Sequence, residues 1–172
     1  MSPRPGPSRS VIPRLLGAEV RKVARAFPAV VLTGPRRAGK TTLLRPLLPD
    51  ATYWLLEEPD TLARVKSDPR AFIEQLRPPV ILDEVQNAPE LFNWVRARID
   101  AAPSMRGRWF ITGSHDISLM RGVSESMAGR AGILRLLPLS RQESPKVSPL
   151  LGGFPEVIRR PRSRAAWFES YL

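Results

Sequence analysis

The chain has 172 residues, 42% of them hydrophobic and 25% charged, the proportions of a globular protein with room for a single α/β core. It has no cysteine, which excludes disulfides and thiolate metal sites, and no apolar run near the ~20 residues of a membrane-spanning helix. Its formal charge of +11 comes almost wholly from arginine, since lysine stands only at Lys22, Lys40, Lys66 and Lys146; such an excess favours polyanionic partners, nucleic acid among them.

Residues 1–11 are rich in proline, serine and arginine and read as a disordered basic tail. They hold no apolar h-region, so the expectation is a cytoplasmic protein without a secretory leader or a membrane partner. From 15 to 27, Leu15, Leu16, Val20, Val23 and Phe27 recur at helical spacing, and Pro28 ends that helix. Ala29, Val30, Val31, Leu32 and Thr33 then form a short run of the kind that makes a buried parallel strand.

Directly after it, Gly34-Pro35-Arg36-Arg37-Ala38-Gly39-Lys40-Thr41 satisfies the phosphate-loop pattern G-x-x-x-x-G-K-[ST] at every defined position. Strand, glycine loop and helix, in that order, aim backbone N–H groups and the positive end of a helix dipole at one point, which suits a triphosphate. Gly34 and Gly39 permit backbone that a Cβ blocks, Lys40 places a point charge between the β- and γ-phosphates, and the Thr41 hydroxyl serves Mg²⁺. Thr42 opens the helix that follows, which Pro46 is expected to interrupt early.

Residues 52–56 read as a second strand, 57–60 as a turn, and 61–66 and 70–76 as short helices. Val80, Ile81 and Leu82 make a third strand that runs into Asp83 and Glu84. A carboxylate ending a buried strand beside a phosphate loop can hold the water shell of Mg²⁺, the role that fits Asp83. Glu84, one residue on, can polarise the water that attacks a γ-phosphate.

A helix over 89–101 buries Leu91, Phe92, Trp94, Val95 and Ile99, and 108–112 form the fourth strand. Ser114 follows it, and two readings stand: a hydroxyl that senses the γ-phosphate, or the N-cap of a helix over 117–127. His115, the single histidine, reads as a loop residue. Arg130 precedes a fifth strand over 133–137 and either caps the helix before it or reaches a nucleotide on a neighbouring subunit. Beyond 138 the chain is polar and proline-broken, with a basic linker at 159–164 and the start of a helix at 165.

Six stretches carry a resemblance. They are Leu-Thr-Gly-Pro-Arg-Arg-Ala-Gly-Lys-Thr-Thr-Leu-Leu at 32–44, Pro-Pro-Val-Ile-Leu-Asp-Glu-Val-Gln at 78–86, Phe-Ile-Thr-Gly-Ser at 110–114, Ser-Glu-Ser-Met-Ala-Gly-Arg-Ala-Gly-Ile at 124–133, Leu-Pro-Leu-Ser at 137–140 and Gly-Gly-Phe-Pro-Glu at 152–156. With them the chain resembles the AAA+-type P-loop ATP-binding proteins of bacteria and archaea that carry a C-terminal domain of unknown function. The resemblance implies an α/β P-loop NTPase fold with a five-stranded parallel sheet in the order 5-1-4-3-2. It further implies ATP and Mg²⁺ as cofactors, Lys40 and Thr41 as Walker A, Asp83 and Glu84 as Walker B, Ser114 as sensor 1 and Arg130 as an arginine finger in a homo-oligomer. The stretch between 139 and 150 is shorter than the family pattern, and relatives continue past 172. The expected organisation is therefore a tail at 1–11, an ATPase core at 12–139, and at 140–172 a truncated lid and linker leading to a C-terminal region. The functional expectation is a Mg²⁺-dependent ATPase. The alternative is a nucleotide-gated module for nucleic acid or protein with vestigial hydrolysis, and a small-molecule kinase ranks third.

Overall fold

The computed structural model describes residues 11–114 and 126–171. Five strands, β1 (Ala29–Thr33), β2 (Thr52–Leu55), β3 (Val80–Asp83), β4 (Trp109–Gly113) and β5 (Ala131–Arg135), pair in parallel in the order β2-β3-β4-β1-β5. This is the expected order read from the other edge. Every residue of β1, β3 and β4 is buried, while β2 and β5 are partly open. The three continuous apolar runs thus take the centre, where both faces are covered, and the more mixed segments take the edges.

Strand alternation divides the core in two. Val30, Leu32, Ile81 and Phe110 face α1 (Leu16–Ala26) and α2 (Lys40–Leu47). Val31, Leu82 and Ile111 face α3 (Pro59–Ser67), α4 (Pro69–Gln75) and α5 (Leu91–Ala101), which contribute Val65, Phe72, Phe92 and Val95. After β5 come turns, then α6 (Pro155–Arg159), a single 3-10 turn and α7 (Arg164–Tyr171).

Three of the boundaries that differ from the sequence expectation have a specific cause. α2 continues one residue past Pro46, because the proline lies in the last turn and forfeits a single bond, while Leu43 and Leu44 hold the helix on the sheet. α3 begins at Pro59, inside the expected turn, since a proline's missing N–H costs nothing in a first turn. β5 starts at Ala131, two residues before its expected position, because its register pairs Ala131 with Ala29 and brings Leu136 N–H onto Thr33 O at 2.8 Å. The expected basic linker is the end of α6 and the 3-10 turn. Most of the helix expected over 117–127, and His115 with it, lies outside the described residues.

Glu143, in the turn after β5, joins that segment to the residues leading into α1. Its carboxylate pairs with Arg14 at 3.0 Å and accepts from the N–H groups of Leu15 (3.0 Å) and Ser140 (2.9 Å). Burial alone would raise its pKa, but the N–H of Ser140, the Arg14 guanidinium and the N–H of Leu15 outweigh it and hold the carboxyl below its ordinary 4.5. With the folded-state value below the unfolded one, the stabilisation is complete above about pH 4.5 and is lost as pH falls through the lowered value. Urea midpoints measured against pH should therefore drop on the acid side, and Glu143→Gln should flatten that limb; an unchanged limb would remove Glu143 from the acid response.

Candidate functional site

The site sits at the C-terminal ends of β1, β3 and β4, where the loop after β1 turns into α2. Gly34 has φ +149°, and a Cβ there would lie 2.1 Å from the Leu136 carbonyl oxygen, so the loop can pass this close to the end of β5 only as glycine. Arg37 and Gly39 both have positive φ (59° and 99°), and the chain between β1 and α2 curls into a backbone concavity of the kind that binds anions. Gly39 is the N-cap of α2, whose leading N–H groups have no partner within the helix. Pro35, Arg36, Ala38 and Thr42 complete the loop, with Ala38 buried and Arg36 and Thr42 exposed.

Lys40 is buried, and its ammonium donates to the carbonyls of Gly34 (3.0 Å) and Pro35 (3.2 Å), curled back over the loop. Burial lowers its pKa, opposed by the negative charges of Glu84 and Asp83. Lys40 and Glu84 line the same pocket of about 630 Å³ together with Thr41 and Thr42. Ile12, Pro13, Leu139 and Pro155 make part of its wall apolar, and Arg159 also lines it.

Asp83 is the centre of the polar network. Its Oδ2 accepts from the Thr41 hydroxyl at 2.6 Å and from the Tyr53 hydroxyl at 2.7 Å, and its Oδ1 accepts from the Thr112 hydroxyl. Ile81 faces α2, so Asp83, two residues on, faces the same way, and Thr112 lies in the next position of the β4 register. Tyr53 pairs with Ile81 in β2, and its side chain reaches along that face to the carboxylate. Burial, the bond to Asp83 and that residue's charge all push the Tyr53 phenol upward, so it remains a donor. Tyr53→Phe keeps the ring under the Arg45 guanidinium, 5.0 Å away, and removes one donor from a charged acceptor. The expected loss is about 1.5–3 kcal/mol in urea denaturation; an unchanged midpoint would show that Asp83 does not need the phenol.

Glu84 has left-handed backbone (φ 59°, ψ 48°), which costs an L-residue about 1–2 kcal/mol and turns the chain sharply out of β3. Its Oε2 accepts from Gln86 Nε2 at 2.5 Å, and Gln86 Oε1 accepts from the Ser114 N–H at 3.3 Å. Gln86 therefore ties the carboxylate to the end of β4.

The structure brings together Lys40, Thr41, Asp83 and Glu84, and places Ser114 within one side chain of them. The β4 hydroxyl in contact with Asp83 belongs to Thr112, and most of the helix that Ser114 would cap lies outside the described residues. Arg130 precedes β5 at the opposite end of the sheet, clamped on Asp100 by bonds of 2.6 and 3.0 Å and donating to Ala128 O at 3.2 Å. Tyr53, Thr112, Gln86 and the Arg14–Glu143 pair were not singled out from sequence. Thr112 had a signal: Val-Ile-Leu-Asp and Trp-Phe-Ile-Thr are both three apolar residues followed by a polar one, and laid side by side they align Asp83 with Thr112.

A family model described as an AAA domain matches residues 26–144. This chain belongs to that family. AAA domains are nucleotide-binding ATPase modules, and here the match spans the loop, β3 and β4. Two uncharacterized proteins, one from Mycobacterium bovis and one from Mycobacterium tuberculosis, are each 34% identical over 164 residues, covering 90% of this chain and 36% of their own length. The chain therefore spans about a third of the curated relatives it matches. The Walker-type ATPase of Pyrococcus abyssi superimposes with a TM-score of 0.60 over 96% of this chain and 73% of its own, at 19% identity, which speaks to the fold of the AAA domain alone. Among the described residues no helix is long and apolar enough to cross a membrane.

Proposed function

We propose that this AAA domain binds ATP with Mg²⁺ and hydrolyses it to ADP and phosphate, as one subunit of a cytoplasmic homo-oligomer. The observation that carries the proposal is the 2.6 Å bond between the Thr41 hydroxyl and Asp83, which joins the loop to the end of β3 across 42 residues of sequence. That donor set, a hydroxyl beside a carboxylate with no nitrogen or sulfur, suits a hard cation such as Mg²⁺. When bound, Mg²⁺ supplies charge neutralisation to the phosphate oxygens. Thr41 and Asp83 are the residues that would hold it.

The loop from Gly34 to Thr42 receives the phosphates through its N–H groups, and Lys40 exchanges the carbonyls of Gly34 and Pro35 for phosphate oxygen. Glu84 orients the attacking water and accepts its proton, with Gln86 steering the carboxylate and Ser114 at the end of the same link. Ile12, Pro13, Leu139 and Pro155 offer apolar contact to the base. Residues 12–139 form the ATPase core, and 140–172 belong to the lid and linker. Arg130 faces away from its own loop, so as an arginine finger it would serve a neighbouring subunit after release from Asp100.

The test is a titration of the chain with ATP, with and without Mg²⁺, together with phosphate release and sedimentation at each nucleotide state. Saturable binding with Mg²⁺-dependent phosphate release supports the proposal, and absence of any nucleotide binding ends it. A second reading, a nucleotide-gated module for nucleic acid, is favoured by the charge of +11 and by exposed Arg159, which lines the pocket, with Arg160 paired to Glu156 of the same lining. ATP-dependent, salt-sensitive binding of DNA or RNA without phosphate release would select it.

A further inference from the structure

Arg14 precedes α1, far from the phosphate loop in sequence, yet its side chain is 8% exposed and its guanidinium is spent on three separate segments. Nε pairs with Glu143 at 3.0 Å, Nη2 donates to the Leu137 carbonyl at 2.5 Å, and Nη1 donates to the Ala38 carbonyl inside the phosphate loop at 2.7 Å. Glu143 is equally enclosed, at 7% side-chain exposure, so the charge that approaches the loop is already neutralised.

A peptide unit is planar and trans, so the Ala38 carbonyl and the Gly39 N–H point in opposite directions. Holding the carbonyl from one side fixes the N–H toward the other. Gly39 has nothing of its own to set that plane: its φ is +99°, and the nearest atom to a Cβ built there is Arg14 Nη1 at 3.7 Å. Without an anchor, a glycine peptide in a loop is the one freest to rotate. We infer that Arg14 is a positioning residue for the anion site: by holding the Ala38 carbonyl it directs the Gly39 N–H at the phosphates, and through Glu143 and Leu137 it makes that orientation depend on the segment after β5. This rests on the phosphate-site reading proposed above.

Arg14→Lys retains the charge facing Glu143, but a single ammonium cannot span three acceptors that a planar fork reaches. Affinity for ADP and for inorganic pyrophosphate is measured well below the unfolding temperature, beside the amide NMR shift of Gly39 on adding ADP. The expected result is binding about tenfold weaker for both ligands, with the Gly39 amide shift reduced. A purely structural role would lower the unfolding temperature and leave both readouts unchanged in the folded protein. Arg14→Met, which removes the donors and keeps much of the bulk, should weaken binding at least as far. Wild-type affinity in Arg14→Lys with an unaltered Gly39 shift overturns the inference. Lys40→Ala, run in parallel, separates the two failures: if it alone weakens binding, only the role of Arg14 falls, and if neither variant weakens it, the phosphate site itself is wrong.

Discussion

Glu84→Gln should leave Mg²⁺-ATP binding near the wild-type value and reduce turnover by about 10² to 10⁴, the span typical of losing a positioned general base. The carboxylate stands beyond β3 on strained backbone, lines the pocket with Lys40, and is oriented by Gln86 at 2.5 Å. Glutamine is almost the same size and can accept the same bond through its carbonyl oxygen, so the local structure survives while the proton acceptor is gone. In the proposed mechanism the residue meets the water rather than the phosphates, so the effect should fall on the chemical step. Single-turnover phosphate release, with nucleotide affinity measured on the same preparation, checks it. Equal turnover in the two proteins would take Glu84 out of the mechanism.

Lys40→Ala should act on the other quantity. The ammonium is buried and held by two carbonyl oxygens of its own loop, an arrangement that leaves it desolvated and ready for a stronger acceptor. Losing a charged hydrogen bond to phosphate costs about 1.5–3 kcal/mol, so ATP should bind about 10- to 100-fold more weakly. Burial lowers the lysine's own pKa, meaning that the fold bears a desolvation cost for keeping it charged there. The alanine protein without nucleotide is relieved of that cost but leaves the Gly34 and Pro35 carbonyls without their donor, so its unfolding temperature should stay close to that of the wild type. Calorimetric titration and thermal unfolding together test the pair of expectations: unaltered affinity would refute the phosphate role, and an early unfolding transition would show that Lys40 is structural.

The two acids and the loop were legible because each is local. Gly34 to Thr41 is a contiguous pattern, and Asp83 and Glu84 end a short apolar run that reads as a buried strand beside it. The partners of Asp83 were harder to see. Tyr53 reads as an ordinary aromatic strand residue until β2 pairs with β3 and its hydroxyl comes to 2.7 Å from the carboxylate. Arg14 and Glu143 are separated by 129 residues, and each looks like a solvated surface charge in its own segment. Arg130 stands immediately before β5, but its bidentate hold on Asp100 needs the end of α5 beside it.

By itself, then, the sequence determined that a phosphate loop follows a buried strand and that a carboxylate pair ends another, because those features depend on neighbours along the chain. The tertiary structure alone decided which face of each central strand meets α2. β1, β3 and β4 are apolar at nearly every position, so alternation leaves no mark in the text, and either parity buries equally well. Only with α2 laid on the face of Ile81 and Phe110 does Asp83 turn toward Thr41, with Thr112 and Tyr53 closing around it. That choice follows from how helices cross over a twisted parallel sheet, a property of the assembled chain rather than of any segment within it.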